Sequence, residues 1–296
     1  MSGIHRAWMA WMAIAVCAAM NPGHSASDAG IPAEISLTPG QIAVLRYKLP
    51  AGTVPSALRC GGKDVQYFIG EDGYLNAFIS EPCGSRHVPY ACRLQTSKGE
   101  RVAAKVAIEK KDFPRAFLKV DPSKVTLSKK DAARAARERK IIAAVYQEGS
   151  AATPYFDQPF IFPVEAKVGS PYGVRRIFNK QQKSQHLGVD FAAGEGTPVQ
   201  SSNRGKVVFT GDLFYAGNTV IIDHGVGVYT IYAHLSKIDV KRSDVVEKGE
   251  VIGFSGKTGR VTGPHVHWGV RVMGELCDGQ SLVRAYSSTG LKMEGQ

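Results

Sequence analysis

Long apolar runs are scarce in this 296-residue chain. The longest, residues 7–20, is fourteen residues long, and a helix needs roughly 20 to span a bilayer. No other segment is apolar enough to span. Cysteine is sparse too, with five in all and no Cys-x-x-Cys pair, so a cysteine-ligated structural zinc is a weak reading. Acidic residues are in deficit, 26 against 37 basic ones, which leaves a formal net charge of +11. That balance implies an anionic partner or surface: nucleic acid, membrane or cell-wall polymer. No helix-turn-helix, zinc-finger spacing or aromatic RNA-binding signature is present, so nucleic acid is the weakest of the three. No Walker or dinucleotide glycine pattern occurs either; the close-set glycines after residue 200 belong to hairpin turns.

His5 and Arg6 precede the apolar stretch, and small polar residues follow it. A basic start, a short apolar core and such a flank read as a secretory signal over residues 1–27, with cleavage near Ser25 to Ser27. The protein is therefore expected to be exported, to the periplasm or beyond. Lipidation at Cys17 is a lesser alternative, because valine directly before the cysteine is unusual for a lipoprotein signal. After signal removal Cys60, Cys83, Cys92 and Cys277 remain, an even number that suits disulfides in an oxidising compartment. Three pairings are open. At least one is expected within the N-terminal part, with Cys277 joining the leftover thiol or staying free.

The length suits two domains. Residues 28–112 read as a small all-β domain: Ala43, Leu45, Tyr47 and Leu49 alternate, as do Val102, Ala104, Val106 and Ile108, with turn signals between. Its role is open between a binding or inhibitory one and a purely structural one. Residues 113–152 form a helical linker. Ser128 is a good N-cap for a helix rich in Ala, Lys and Arg, with six basic and two acidic residues over 129–140. This face could contact an anionic wall or membrane; a merely solvated face is the commoner case. Ile141, Ile142 and Val145 are expected to pack the helix onto a neighbour, and residues 149–154 read as linker. Residues 153–296 show short strands, glycine-rich turns and no helical periodicity, an antiparallel β architecture.

Within this last part lie the residues that carry chemistry. From His265 to Met273 apolar residues alternate with His265, His267, Gly269 and Arg271, a period-two strand pattern that puts both histidines on one face. His186-Leu-Gly-Val-Asp190 carries a glycine and a β-branched residue, which argue against a helix; it places His186 in a loop and Asp190 at a strand start. His234 is expected on the strand face of Val228, Thr230 and Tyr232. His224 reads as a turn residue and not a ligand. Two imidazoles and a carboxylate are a usual set for catalytic zinc, which keeps a fourth position for water and lowers that water's pKa to roughly 7. A further histidine nearby can take or return a proton.

In that order His186-x-x-x-Asp190, Tyr232-Ala-His234-Leu and His265-Val-His267-Trp-Gly resemble the M23 family of zinc metallopeptidases, the lysostaphin-like or LytM-type peptidoglycan endopeptidases. Residues 170–176, 196–199, 205–208, 217–225 and 256–263 resemble family segments as well, and the likeness extends over about 155–275. The stretch before it resembles the N-terminal part of Gram-negative members more loosely. The resemblance implies a mainly β protein with an antiparallel β-sheet groove, preceded by the small β-domain and the basic helix. It implies His186, Asp190 and His267 as zinc ligands and His234 and His265 as uncoordinated catalytic histidines. It implies cleavage of peptidoglycan peptide stems at D-alanyl–diaminopimelate cross-links. The alternative is a non-catalytic family member that activates a cell-wall amidase; such members usually lack one or more ligands, and this chain has all of them.

Overall fold

Strand Ile42–Lys48 is apolar on both faces, and this organises the N-terminal half. Successive side chains in a strand point to opposite sides. Ala43, Leu45 and Tyr47 therefore face one core, while Ile42 and Val44 face another; all five are buried. The antiparallel neighbour Tyr74–Ser80 divides the same way, with Leu75, Ala77 and Ile79 on the first side and Phe78 on the second. On the first side lies a five-stranded sheet in the order Ala33–Leu37, Gly99–Ile108, Tyr90–Thr96, Pro55–Cys60, Lys63–Val65. The two sheets form a sandwich around Leu37, Leu58, Leu94 and Val106. Cys60 and Cys92, opposite each other on adjacent strands, are joined by a disulfide, while Cys83 and Cys277 are free thiols. The pairing of Ala33–Leu37 with Gly99–Ile108 is parallel, so the sandwich is not purely antiparallel.

The computed structural model describes residues 26–27, 30–85, 87–118, 127–178 and 182–287. The expected signal segment, apart from Ala26–Ser27, lies outside these, as do Cys17, His5 and His24.

The second side of the N-terminal strands packs into a larger core shared with the C-terminal half, where Ile42, Val44 and Phe78 meet Phe156, Phe160, Val220 and Trp268. That half is built on a ten-stranded sheet. Its main path runs Val168–Ser170, Val189–Phe191, Val266–Val272, Tyr229–Ile238, Gly217–Asp223, Gly205–Leu213, Val245–Val246, and its pairings are antiparallel. Pro198–Gln200, Val251–Ser255 and Glu275–Cys277 attach to its side.

Three expectations are corrected. The C-terminal half does hold a helix, Gly279–Ser287. Asp278 starts it, its carboxylate accepting from Gln280 N at 3.0 Å, and Leu282 and Ala285 are buried in the shared core. The basic helix does begin at Ser128, whose hydroxyl accepts from Asp131 N, and runs Lys129–Gln147. Its inner face, however, is Ala135, Glu138, Ile142 and Val145, spaced three and four apart. Ile141, one residue or about 100° off that stripe, stays 51% exposed. Residues 149–154 are not a loose linker either: Asp223 Oδ2 accepts from Ala151 N at 3.0 Å, and Val226 N donates to Ala151 O at 2.7 Å.

Before the helix, Arg115–Leu118 pairs in parallel with Arg175–Phe178, which pairs in turn with Gln182–Gln185. This small sheet leads directly into His186.

Candidate active site

The register of three strands assembles the site. Asp190 on Val189–Phe191 lies opposite His267 on Val266–Val272, and His267 lies opposite Ala233 on Tyr229–Ile238. Residues directly opposite share a face. The intervening positions, Val189↔Trp268 and Phe191↔Val266, point the other way and are fully or nearly fully buried. Burial of these apolar partners fixes the register, since a one-residue slip would turn the whole face over.

His186 enters from its loop, held by backbone bonds to Val174 and Gly173 at 2.9 and 2.7 Å. Its Nε2 lies 2.9 Å from Asp190 Oδ1 and 3.2 Å from His267 Nδ1; His267 Nδ1 lies 2.8 Å from the same carboxylate oxygen. His186, Asp190 and His267 thus converge with one ligand atom each. Ligands held at roughly 2.0–2.2 Å around a tetrahedral zinc sit about 3.3 Å apart, so these donors fit a common ion with small adjustments. Carbonyls orient the imidazoles, since a carbonyl can only accept. His186 Nδ1–H donates to Pro171 O at 2.9 Å, which leaves its Nε2 lone pair to the cluster.

Electrostatics favours the charged carboxylate. Burial alone would raise the pKa of Asp190, but the His186 and His267 imidazoles beside it, which become donors and carry charge when protonated, outweigh burial and hold the group below the usual carboxylate range. Arg176 Nη2 donates to Asp190 Oδ2 at 2.9 Å and to Ser170 Oγ at 3.2 Å, which leaves Oδ1 turned to the imidazoles. Burial lowers the pKa of His267, against the pull of Asp190.

The other two expected histidines flank this cluster. His265 Nδ1–H donates to Gly263 O at 2.9 Å, and its Nε2 faces Asp190 Oδ1 at 3.8 Å. His234 Nδ1–H donates to Thr258 O at 2.9 Å; its ring centroid is 4.8 Å from that of His265 and 5.9 Å from that of His267. Burial, with the His267 charge next, lowers its pKa to about 4.

His234 does not lie on the face of Val228, Thr230 and Tyr232. Those side chains are buried on the Trp268 side, opposite the site. Between Tyr232 and Leu235 the register against Gly217–Asp223 shifts by one residue. At this bulge His234 takes a left-handed backbone, φ 63°, and its N–H donates to Ala216 O at 2.8 Å. The bulge turns the imidazole across the sheet into the site. Strain of this kind persists where the surroundings over-determine it.

His224 is a buried turn residue, as expected. Nδ1–H donates to Arg204 O at 2.8 Å and Nε2 lies 2.7 Å from Thr230 Oγ1. Three contributors had no role assigned from the sequence: Ser170, the Pro171 carbonyl and Arg176. Their one trace is that they lie inside the segment 170–176 that resembles the family.

No described hydrogen bond, ion pair or ring contact of the five residues reaches residues 30–112. The N-terminal sheets instead join the core on the Trp268 side.

An antiparallel sheet thus gathers a His–Asp–His donor set and two further imidazoles on one face, an arrangement suited to holding a metal ion. Residues 184–279 match Peptidase family M23, so the chain carries an M23 peptidase domain. It is 41% identical over 149 residues to the peptidoglycan DD-endopeptidase ShyA of Vibrio cholerae, covering 47% of this chain and 34% of ShyA. It is 44% identical over 112 residues to the DD-carboxypeptidase/endopeptidase Mpg of Neisseria meningitidis, covering 38% of this chain and 26% of Mpg. The chain thus matches about a third or less of the length of these curated relatives. A solved Pseudomonas aeruginosa structure classed as peptidase M23 aligns with a TM-score of 0.64 at 29% identity, over 84% of this chain and 95% of that one.

Proposed function

We propose that this protein is a zinc-dependent endopeptidase that hydrolyses peptide cross-links in bacterial peptidoglycan, at the bond between D-alanine and diaminopimelate. The observation that carries the reading is the convergence of His186 Nε2, Asp190 Oδ1 and His267 Nδ1 beside two uncommitted imidazoles. When bound, zinc would supply Lewis acidity toward an amide carbonyl and a water. His186, Asp190 and His267 would hold it, and Arg176 fixes the Asp190 carboxylate from behind. His234 and His265 handle the protons. Each gives its Nδ1–H to a carbonyl and keeps Nε2 for the reaction, one taking a proton from the attacking water, the other facing the amide. The substrate assignment rests on the relatives' names, and the export assignment on the basic-then-apolar N-terminus and the Cys60–Cys92 disulfide. The exposed basic residues Lys129, Lys130, Arg137, Arg139 and Lys140 would hold the enzyme on an anionic wall or membrane.

Purified protein with zinc is expected to release soluble fragments from peptidoglycan, and a chelator or His267→Ala is expected to stop it. Undiminished release under both treatments overturns the reading. A purely regulatory role instead predicts that cells carrying His186→Ala resemble wild type while deletion of the gene does not.

A further inference from the structure

The small sheet beside the site carries an arrangement that the mechanism does not use. Phe113 is buried in an edge contact with Tyr172, ring centroids 6.1 Å apart, and Arg175 N donates to Pro114 O at 2.8 Å. These contacts set the connector in parallel register with Arg115 opposite Arg175. Like charges directly opposite on adjacent strands are destabilising, yet among the described residues no carboxylate pairs with either guanidinium. The next residue, Arg176, is the one bonded to Asp190. Arg115, Arg175 and Arg176 line a single cleft of ≈400 Å³ with Ile177, Ser184 and Gln185. The cleft therefore abuts the donor cluster through Arg176.

Planar guanidinium forks match a carboxylate, which can take two parallel N–H donors. The cross-link proposed as substrate carries such groups. In a D-alanyl–diaminopimelate bond, the carbon attached to the scissile nitrogen also bears a free carboxylate, and a D-glutamyl carboxylate lies further along the stem. We propose that Arg115 and Arg175 form a carboxylate subsite that selects a free carboxylate of the stem peptide. This inference rests on the peptidoglycan reading above. It also gives the connector a role, because Arg115 comes from the segment that follows the N-terminal sandwich.

The test uses the full chain with zinc and soluble cross-linked muropeptides. Three substrates are compared: both carboxylates free, the diaminopimelate carboxylate amidated, or the D-glutamyl carboxylate amidated. Wild type is expected to lose ~10–100-fold in kcat/KM when the recognised carboxylate is amidated, as for a charged hydrogen-bonded group. In Arg115→Gln/Arg175→Gln the ratio between free and amidated substrate is expected to collapse toward one; Arg115→Lys/Arg175→Lys should retain part of it. The ratio is taken within one protein, so partial misfolding does not change it. The amidation that has the effect identifies the carboxylate. Calorimetric binding of an uncross-linked stem tetrapeptide and its amides gives the same ratio without hydrolysis. If wild type binds the free form preferentially but cleaves nothing, the endopeptidase reading falls and the subsite stands. Indifference of wild type to both amidations, or an unchanged ratio in the Gln variant, overturns the subsite. So does an equal loss of binding to every anionic surface, which would mark a general electrostatic patch.

Discussion

At position 188 the absence of one methyl group decides whether the donors can meet. A Cβ there would lie 2.5 Å from His267 Nε2 and 2.8 Å from the Trp268 carbonyl, and closer still to His267 Cε1. The backbone carbonyl cannot yield, so the imidazole must. Gly188→Ala is expected to weaken zinc binding ~10–100-fold, the usual effect of disturbing a ligand's orientation. Competition with a chromophoric chelator measures it, and an affinity within twofold of wild type would refute the argument. His224 offers a second residue-scale prediction, this time in acid. Burial depresses its pKa to about 4, against roughly 6.5 in the unfolded chain. Between those values the unfolded state binds the proton and the folded state does not, so stability rises with pH across that window. The contribution is whole above about 6.5, and acidification to pH 4 removes of the order of 3 kcal/mol of it. Urea unfolding of wild type and His224→Gln should show the variant flatter between pH 6.5 and 4; equal slopes would count against it. Residues also mark the limit of sequence reading. Alternation alone placed His265 and His267 correctly, because buried valines and Trp268 enforce the period. It misplaced His234, because a left-handed β-bulge at a non-glycine residue has no signature in composition or spacing.

At the scale of elements, the basic helix is tied to the site through one loop. Glu138 Oε2 accepts from Phe214 N at 2.7 Å, and Arg134 bonds both Glu138 and Asp212. Two residues on, Ala216 O receives the N–H of His234. The helix thus braces the turn that holds the bulge. Glu138→Ala is expected to cost about 1.5–3 kcal/mol, as for a hydrogen bond to a charged group, and to lower turnover as the His234 bulge loosens. Glu138→Gln, which keeps an acceptor, should recover part of both. Thermal melts and kcat on soluble muropeptides check this; turnover unchanged in Glu138→Ala would detach the helix from the site. The N-cap of this helix was legible because Ser128 precedes a run of strong helix formers. The helix Gly279–Ser287 was not. It opens on glycine, a poor helix former, and that glycine is there because a Cβ would lie 2.5 Å from the Trp268 ring. Only tertiary packing, invisible in a single sequence, accounts for it. The strand Arg115–Leu118 escaped for a similar reason: four residues are too few for a period, and its parallel partner lies sixty positions away.

Across the whole molecule, the two halves differ in how far sequence could describe them. Each was readable as β-rich from its own alternation and turns. That they share one core was not, because strand Ile42–Lys48 reads as an ordinary apolar run whether one face is covered or two. Phe156 stands at the junction. Its ring is 6.3 Å from Phe68 and 5.7 Å from Phe78 on the N-terminal side, and 5.1 Å from Phe160 on the C-terminal side. Backbone and side chain reinforce the same seam: Ser281 Oγ accepts from Ile42 N at 2.9 Å, and Asp278 N donates to Gly40 O at 2.8 Å. An apolar seam with such bonds should unfold with both halves together, where a polar, wetter one would let them part. Phe156→Ala removes a fully buried ring, and truncations of that kind cost about 3–5 kcal/mol. The loss falls on contacts that belong to both halves. Wild type is therefore expected to melt in one transition. The variant should either melt in one transition at lower temperature or split into two as the seam fails before either half. Calorimetry with a disulfide-intact sample reads the outcome. Two well-separated transitions already present in wild type, the second unmoved by Phe156→Ala, would mean that the halves fold independently and that the shared core contributes little to either.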